Sequence, residues 1–163
     1  MVTRIAPLIV ILFALQGCTS QNSTTSIAVV IAGKSFNLEL ELDQQSRAKG
    51  MMHRTSIPEN SGLLFVFPDA VERSFWMKNC FVNIDLIFLD SRGTITAVHE
   101  MPVEPPQGEE ETDFQYEGRL NHYWSQGPAR FAIELASGSI SQLRLQVNDR
   151  ITLDLPYLKS IAR

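Results

Sequence analysis

Apolar positions along this chain change period several times, and those changes divide it into elements. Ile27 to Ile31 is a continuous, mostly β-branched run, Ala32-Gly33-Lys34 supplies a turn, and Phe36, Leu38, Leu40 and Leu42 then alternate with Asn37, Glu39 and Glu41. The pattern predicts a hairpin whose second strand has one wet face. Asp43 is an N-cap residue for a short helix over Gln44 to Lys49, which Gly50 stops in the left-handed region. Pro58 to Gly62 is a loop by composition, and Leu63 to Phe67, closed by Pro68-Asp69, reads as a buried strand.

The densest stretch follows. Ser74-Phe75-Trp76-Met77-Lys78-Asn79-Cys80 and Phe81 to Asp85 lead into Leu86 to Leu89, apolar on both faces. Asp90-Ser91-Arg92-Gly93 predicts a hairpin turn with glycine at the positive-φ position, and Thr94 to Val98 returns. Between Glu100 and Gly127 the periodicity disappears. Met101 to Pro106 carries three prolines and is not helical, and Glu109, Glu110, Glu111, Asp113 and Glu117 form an acidic run without basic relief, read as a solvated loop tip.

Order resumes with Phe131, Ile133 and Leu135 on one strand face and a turn at Ser137-Gly138-Ser139. Ile140 to Leu145 is a short helical or extended link, followed by a tight turn at Val147-Asn148-Asp149. Ile151, Leu153 and Leu155 alternate with Thr152 and Asp154, predicting a last strand that Pro156 ends. Short strands, frequent turns and no internal repeat define a mainly β fold: a single compact β-barrel or sandwich-like domain with one or two short helices.

The first residues belong to a different class. Arg4 precedes an apolar run from Ile5 to Leu15, about eleven residues and well short of the roughly 20 that a spanning helix needs. Leu15-Gln16-Gly17-Cys18 resembles a lipobox, and Gln21 to Ser26 is wholly polar. The expected division is therefore a lipoprotein signal peptide over 1–17, a polar tether over 18–26 and a β domain over 27–158. Acylation of Cys18 makes the membrane a partner, since each buried methylene contributes about 0.8 kcal/mol. The expected address is the periplasmic face of a bacterial membrane, with Thr19 favouring the outer one.

The 163 residues carry a formal net charge of -4. An acidic balance with no basic stripe argues against nucleic acid as a partner. His53, His99 and His122 are far apart with no metal-ligand spacing, Glu109-Glu110-Glu111 lacks the alternation of a calcium loop, and no nucleotide fingerprint occurs. Neither a metal nor a cofactor is expected. Cys80, among apolar neighbours, reads as an inert core thiol.

Arg54, Trp76, Lys78, Asn79 and Asp85 carry the chemical interest. Lys78 and Asp85 could pair with each other, or with Arg54, and lock the fold. The functional reading makes Trp76 a flat wall beside which Lys78, Asn79 and Arg54 offer donors to an anionic or hydroxyl-rich ligand.

Gly50-Met51-Met52-x-Arg54, Gly62 to Phe67, Phe75-Trp76-Met77-Lys78-Asn79 with Asp85 to Asp90 and Gly93, and Gly127-Pro128-Ala129-Arg130-Phe131 to Glu134-Leu135 together resemble the DUF192 (UPF0127) family, as does Asn148-Asp149-Arg150-Ile151. The resemblance spans about Ile27 to Leu155 and implies a single, mainly β, often exported domain whose biochemical activity is not established. Many relatives carry threonine at the place of Cys80, glycine at that of Asn148, and cysteines in the region of Glu104 to Tyr116 that this chain lacks. Three functions stay open: a non-enzymatic binding or accessory module for a small anionic or polyhydroxylated envelope ligand, a hydrolase or isomerase using Lys78 or Asp85 as acid or base, and a structural scaffold.

Overall fold

The computed structural model describes residues 25–163, so the expected leader, Cys18 and most of the tether lie outside the described residues. Eight strands and four short helices follow one another: β1 (Ser26–Ile31), β2 (Lys34–Glu41), α1 (Gln44–Lys49), β3 (Ser61–Val71), β4 (Ser74–Phe75), β5 (Ile84–Leu89), β6 (Ile95–Met101), α2 (Asp113–Arg119), β7 (Tyr123–Trp124), β8 (Ala129–Ala136), α3 (Ser139–Leu143) and α4 (Leu155–Ile161). Six strands form one sheet in the order β1-β2-β3-β8-β5-β6, and β4 pairs with β7 in a second, two-stranded sheet. The fold is mainly β, as the alternation implies. It is not a closed barrel, because β1 and β6 remain separate edges.

Both expected hairpins form. Ala32 and Gly33 turn β1 into β2 with φ of 47° and 83°, and Gly93, at φ 83°, turns β5 into β6. β2 and β3 run parallel, so their connection must cross over a sheet face, and α1 lies within that crossover. Asp43 caps α1 by accepting from Ser46 N at 2.8 Å, completing a capping box. Gly50 leaves the helix at φ 45°, ψ -129°, a positive φ as expected but outside the left-handed helical well.

The sheet is covered on both faces. One face packs Leu38, Leu40, Leu64, Val66, Phe131, Ile133, Leu135, Ile87 and Leu89 against Ile140, Leu145, Ile151 and Leu158. The other packs Leu63, Phe65, Phe67, Ala132, Leu86 and Phe88 against Met51, Met77, Cys80 and Phe75. Phe65 and Phe88 flank Ala132 in register, and the small side chain leaves room for Phe75, which meets both rings edge-on at centroid distances of 4.9 and 5.3 Å.

Three expectations need correction. The alternation at Ile151, Leu153 and Leu155 does not make a strand: after one bridge between Thr94 and Arg150 the chain runs unpaired, and Leu155 opens α4. Pro156 stands in the first turn of this element rather than ending one, since proline lacks only an N–H that the first helical turn leaves free, and Asp154 caps it by accepting from Tyr157 N. Four helices replace the expected one or two. Finally, the acidic segment is not bare loop: Asp113–Arg119 is helical behind a Thr112/Gln115 capping box, and it has basic relief from Arg119, which binds Glu111, and from Lys78, which binds Glu117.

Candidate functional site

The second sheet face contains one feature that its apolar partners do not explain. A single register row crosses five strands through Glu39, Leu63, Glu134, Leu86 and His99. Glu134 therefore sits in the middle of the sheet on β8, only 4% exposed, and its Oε2 has no hydrogen-bond partner among the described residues. Above it passes Gly50, where a Cβ would lie 3.5 Å from Oε2 and 3.3 Å from the Phe65 ring. A side chain at Gly50 would crowd the Phe65 ring, which together with its positive φ accounts for the glycine.

Burial pushes the Glu134 carboxyl up to about 8, helped by the nearby charge of Glu41 and partly opposed by Arg54. Glu41, itself buried on β2, is also raised, chiefly by desolvation. Cys80 is pushed up to about 12 by burial and then by Glu134, so its thiol is not an activated nucleophile.

Glu134 and Cys80 open onto a cavity of about 430 Å³, within the range of small-molecule sites. Phe65, Phe67, Phe75, Trp76 and Met51 give it apolar walls, and Arg47, Lys49, Arg73 and Lys78 stand around it against Asp69 and Glu134. Its lining is thus cationic in a chain whose net charge is -4. The two arginines flank the Phe67 ring, Arg73 at 3.7 Å and Arg47 at 5.3 Å from its centroid. Backbone carbonyls fix both: Arg47 donates to Leu42, Val66 and Arg163, and Arg73 to Ala129 and Asp69, with Asp69 also contributing its carboxylate.

Of the residues singled out by sequence, Trp76 and Lys78 line this cavity. Trp76 leans on His122 (5.5 Å between centroids), which stacks on Trp124 at 6.2 Å and 30°. Ser74 Oγ reaches His122 Nδ1 at 3.2 Å, so the small sheet positions the tryptophan. Lys78 is ion-paired with Glu117 of α2, and that hydrogen bond raises the lysine further above its ordinary range.

The remaining three do not join them. Asn79 contributes backbone: at φ 52° it turns the chain, its N–H donates to Tyr116 Oη at 3.0 Å, and its carbonyl accepts from His53 N at 2.9 Å. Arg54 makes a bidentate pair with Glu39 at 2.8 and 2.7 Å, beside Glu134 but outside the cavity lining. Asp85 alternates with Ile84 and Leu86, so it points to the opposite sheet face, where its Oδ2 accepts from Ile140 N at 2.7 Å. The alternative in which Lys78 and Asp85 pair with each other is not realised: Lys78 pairs with Glu117.

Sequence reasoning did not single out Arg47, Arg73 or Glu134 as site residues. Glu134 occupies an ordinary polar position in an alternating strand, and only the register shows that its face is covered. The available signal was the positive-φ Gly50 and the large residues on both neighbouring strands.

Among the described residues no group of three His, Cys, Asp or Glu side chains is placed to hold a metal ion, and no helix is long and apolar enough to cross a membrane.

An open mixed sheet with a cavity on one face, floored by a glutamic acid and walled by aromatic rings, defines the class of this domain. The chain belongs to the DUF192 family, described as "Uncharacterized ACR, COG1430", which matches residues 27–153. Among solved structures it is similar to a protein of Sinorhizobium meliloti 1021 described as a candidate transcription regulator. The identity is 27%, over 77% of this chain and 89% of that one, with a TM-score of 0.62. It also shares its fold with a protein of unknown function from Novosphingobium aromaticivorans DSM 12444, at 20% identity, 82% and 89% coverage and a TM-score of 0.66. Among curated proteins no match is found.

Proposed function

We propose that this chain is a lipid-anchored envelope domain that binds a small anionic ligand in the cavity beside α1, without catalysing a reaction on it. One observation carries the reading: an apolar-walled cavity in an acidic protein is ringed by Arg47, Lys49, Arg73 and Lys78 and has an unpartnered carboxyl group in its floor. A buried polar atom without a partner is destabilising by about 1–3 kcal/mol, and a ligand that satisfies it recovers that free energy on binding. The cationic lining favours an anion by the same electrostatics.

Trp76 and Lys78 keep the roles expected of them, wall and counter-charge. Arg54 and Asn79 act indirectly, through the Glu39 pair and the Met77–Cys80 turn. Asp85 supports the opposite face. The anchor is the Cys18 lipid, with the polar residues between it and β1 as a tether on the periplasmic side, preferentially at the outer membrane.

Native mass spectrometry of protein purified from its own envelope tests the ligand half. A small anion retained by the native protein and lost from a Trp76→Ala, Lys78→Met variant supports binding, whereas an empty cavity in every envelope preparation removes it. The anchor is tested separately by Cys18→Ala, which should move the protein from the detergent phase to the aqueous phase. Unchanged partitioning would exclude lipidation.

A further inference from the structure

The donors left free in the cavity narrow the chemistry of its ligand. Arg47 spends its guanidinium on three backbone carbonyls, and Arg73 is held by Ala129 and Asp69. Neither offers the open fork that phosphate recognition uses. What remains is the Glu134 carboxyl in the floor, the exposed Lys49 at the rim and the donors that the Lys78 ammonium keeps beyond its bond to Glu117. A group with one charge and two oxygens matches this set better than one with two charges and three.

We infer that the cavity takes an organic monocarboxylate with an apolar body, one of whose oxygens accepts a hydrogen bond from the protonated side chain of Glu134. The inference rests on the cavity reading above and specifies its ligand. The aromatic walls Phe65, Phe67, Phe75 and Trp76 receive the body, and the lysines balance the charge. An ionised Glu134 would have no proton to donate and would repel the ligand, so binding is coupled to protonation of this one group.

The charged and titratable groups around Glu134 leave that coupling distinct. Glu39 and Glu41 face it from β2, Arg54 from the turn after α1, and Cys80 and Lys78 from the segment between β4 and β5. Arg47 and Arg73 stand across the cavity, and His99 lies two strands along the same row. Arg54 is committed to Glu39, which is lowered by that bond, while Cys80 and Lys78 are both raised and hold their protons well above neutrality. Glu41 is also raised by its burial, and Glu134, pushed up to about 8, changes charge between neutrality and pH 9.5.

The test uses four probes of similar size: benzoate, phenylphosphate, benzylamine and benzyl alcohol. Binding is read from Trp76 emission in a Trp124→Phe background and by calorimetry between pH 7 and 9.5, with circular dichroism confirming the fold throughout. Benzoate should bind at least tenfold more tightly than the other three at pH 7. Its affinity should fall by about tenfold per pH unit above pH 8, as for any ligand that needs one protonated site. Glu134→Gln, whose amide still donates, should keep the pH 7 affinity within about threefold and lose the pH dependence, and Glu134→Leu should lose binding.

A preference for phenylphosphate or benzylamine, or a benzoate pH slope that survives in Glu134→Gln, would overturn the inference while leaving a ligand cavity standing. Failure of all four probes, together with no anion retained from the envelope, would overturn both.

Discussion

The ammonium of Lys78 is held by the carboxylate of Glu117, so a wall of the cavity is tied to the helix that follows the acidic run. The pair is half-exposed rather than buried, with side-chain exposures of 21% and 38%. Pairs in such surroundings contribute about 0–1 kcal/mol. Lys78→Met should therefore lower stability by no more than about 1 kcal/mol in urea titrations, and Asp85→Leu should not rescue it. A loss of about 3–5 kcal/mol, recovered in the double mutant, would mean a buried pair with Asp85 instead.

Asp85 carries a different load. Its Oδ2, fully buried, accepts the Ile140 N–H in the first turn of α3. Asp85→Leu leaves that N–H unpaired and should be destabilising by about 1–3 kcal/mol, with hydrogen exchange at Ile140 accelerated and ligand affinity unchanged. Asp85→Asn keeps an acceptor oxygen without the buried charge. Because burial raises the native carboxyl, the asparagine variant should gain on the parent as pH rises.

Glu134 gives a pH dependence of stability whose sign is fixed. Its carboxyl lies at about 8 in the folded chain against an ordinary value of 4.5, so the folded state holds the proton more tightly than the unfolded one. The stabilisation is complete below the ordinary value, is lost as pH rises from about 4.5 to about 8, and is constant above that. Glu134→Gln removes the group, so its stability relative to the parent should rise across that window by on the order of 4 kcal/mol. Chemical denaturation of both proteins at pH 4.5, 6.5 and 8.5 measures it, and a flat difference would mean that the carboxyl titrates alike in the folded and unfolded chain.

Gly62 of β3 packs closely against the β8 backbone. A Cβ there would stand 2.2 Å from the backbone oxygen of Glu134 and 2.8 Å from Leu135 Cδ2. Backbone cannot yield as a flexible side chain does, so Gly62→Ala should be more destabilising than the 1–3 kcal/mol typical of overpacking. Gly118→Ala, with nothing within 4 Å of the new carbon, is the matched control and should be neutral or slightly stabilising.

Much of this fold was legible because its strongest signals are local. The Ala32-Gly33 and Ser91-Arg92-Gly93 turns, the Asp43 cap and the double-faced Leu86–Leu89 strand each declare themselves within a few residues. α2 was missed because three prolines and an acidic run dominate the composition, although Thr112-x-x-Gln115 is a capping box in plain sight. α4 was missed because a period of two over Ile151, Leu153 and Leu155 outweighed Asp154-Leu155-Pro156, which is a helix start.

The candidate site was less legible, for a physical reason. Trp76 and Lys78 stood out as polar and aromatic residues inside an apolar stretch, and the cavity is indeed lined by both. Glu134 resembles the solvent-facing residue of any half-buried strand, and its burial depends on which chain segments cover that face. The separation of Asp85 from Lys78 depends on the strict alternation of β5, which a seven-residue spacing across a turn does not reveal.

α1 and the Met51–Met52 turn after it line the cavity, and they belong to the crossover that joins the parallel strands β2 and β3. Hairpins such as β1–β2 and β5–β6 close from neighbouring residues, but a parallel pairing must first pay the entropy of a longer loop, and pairings of that kind form slowly. This lining therefore has no existence apart from the assembled centre of the sheet. Any molecule held against it will slow global unfolding, and a refolding chain will regain hairpin structure before it regains the capacity to bind.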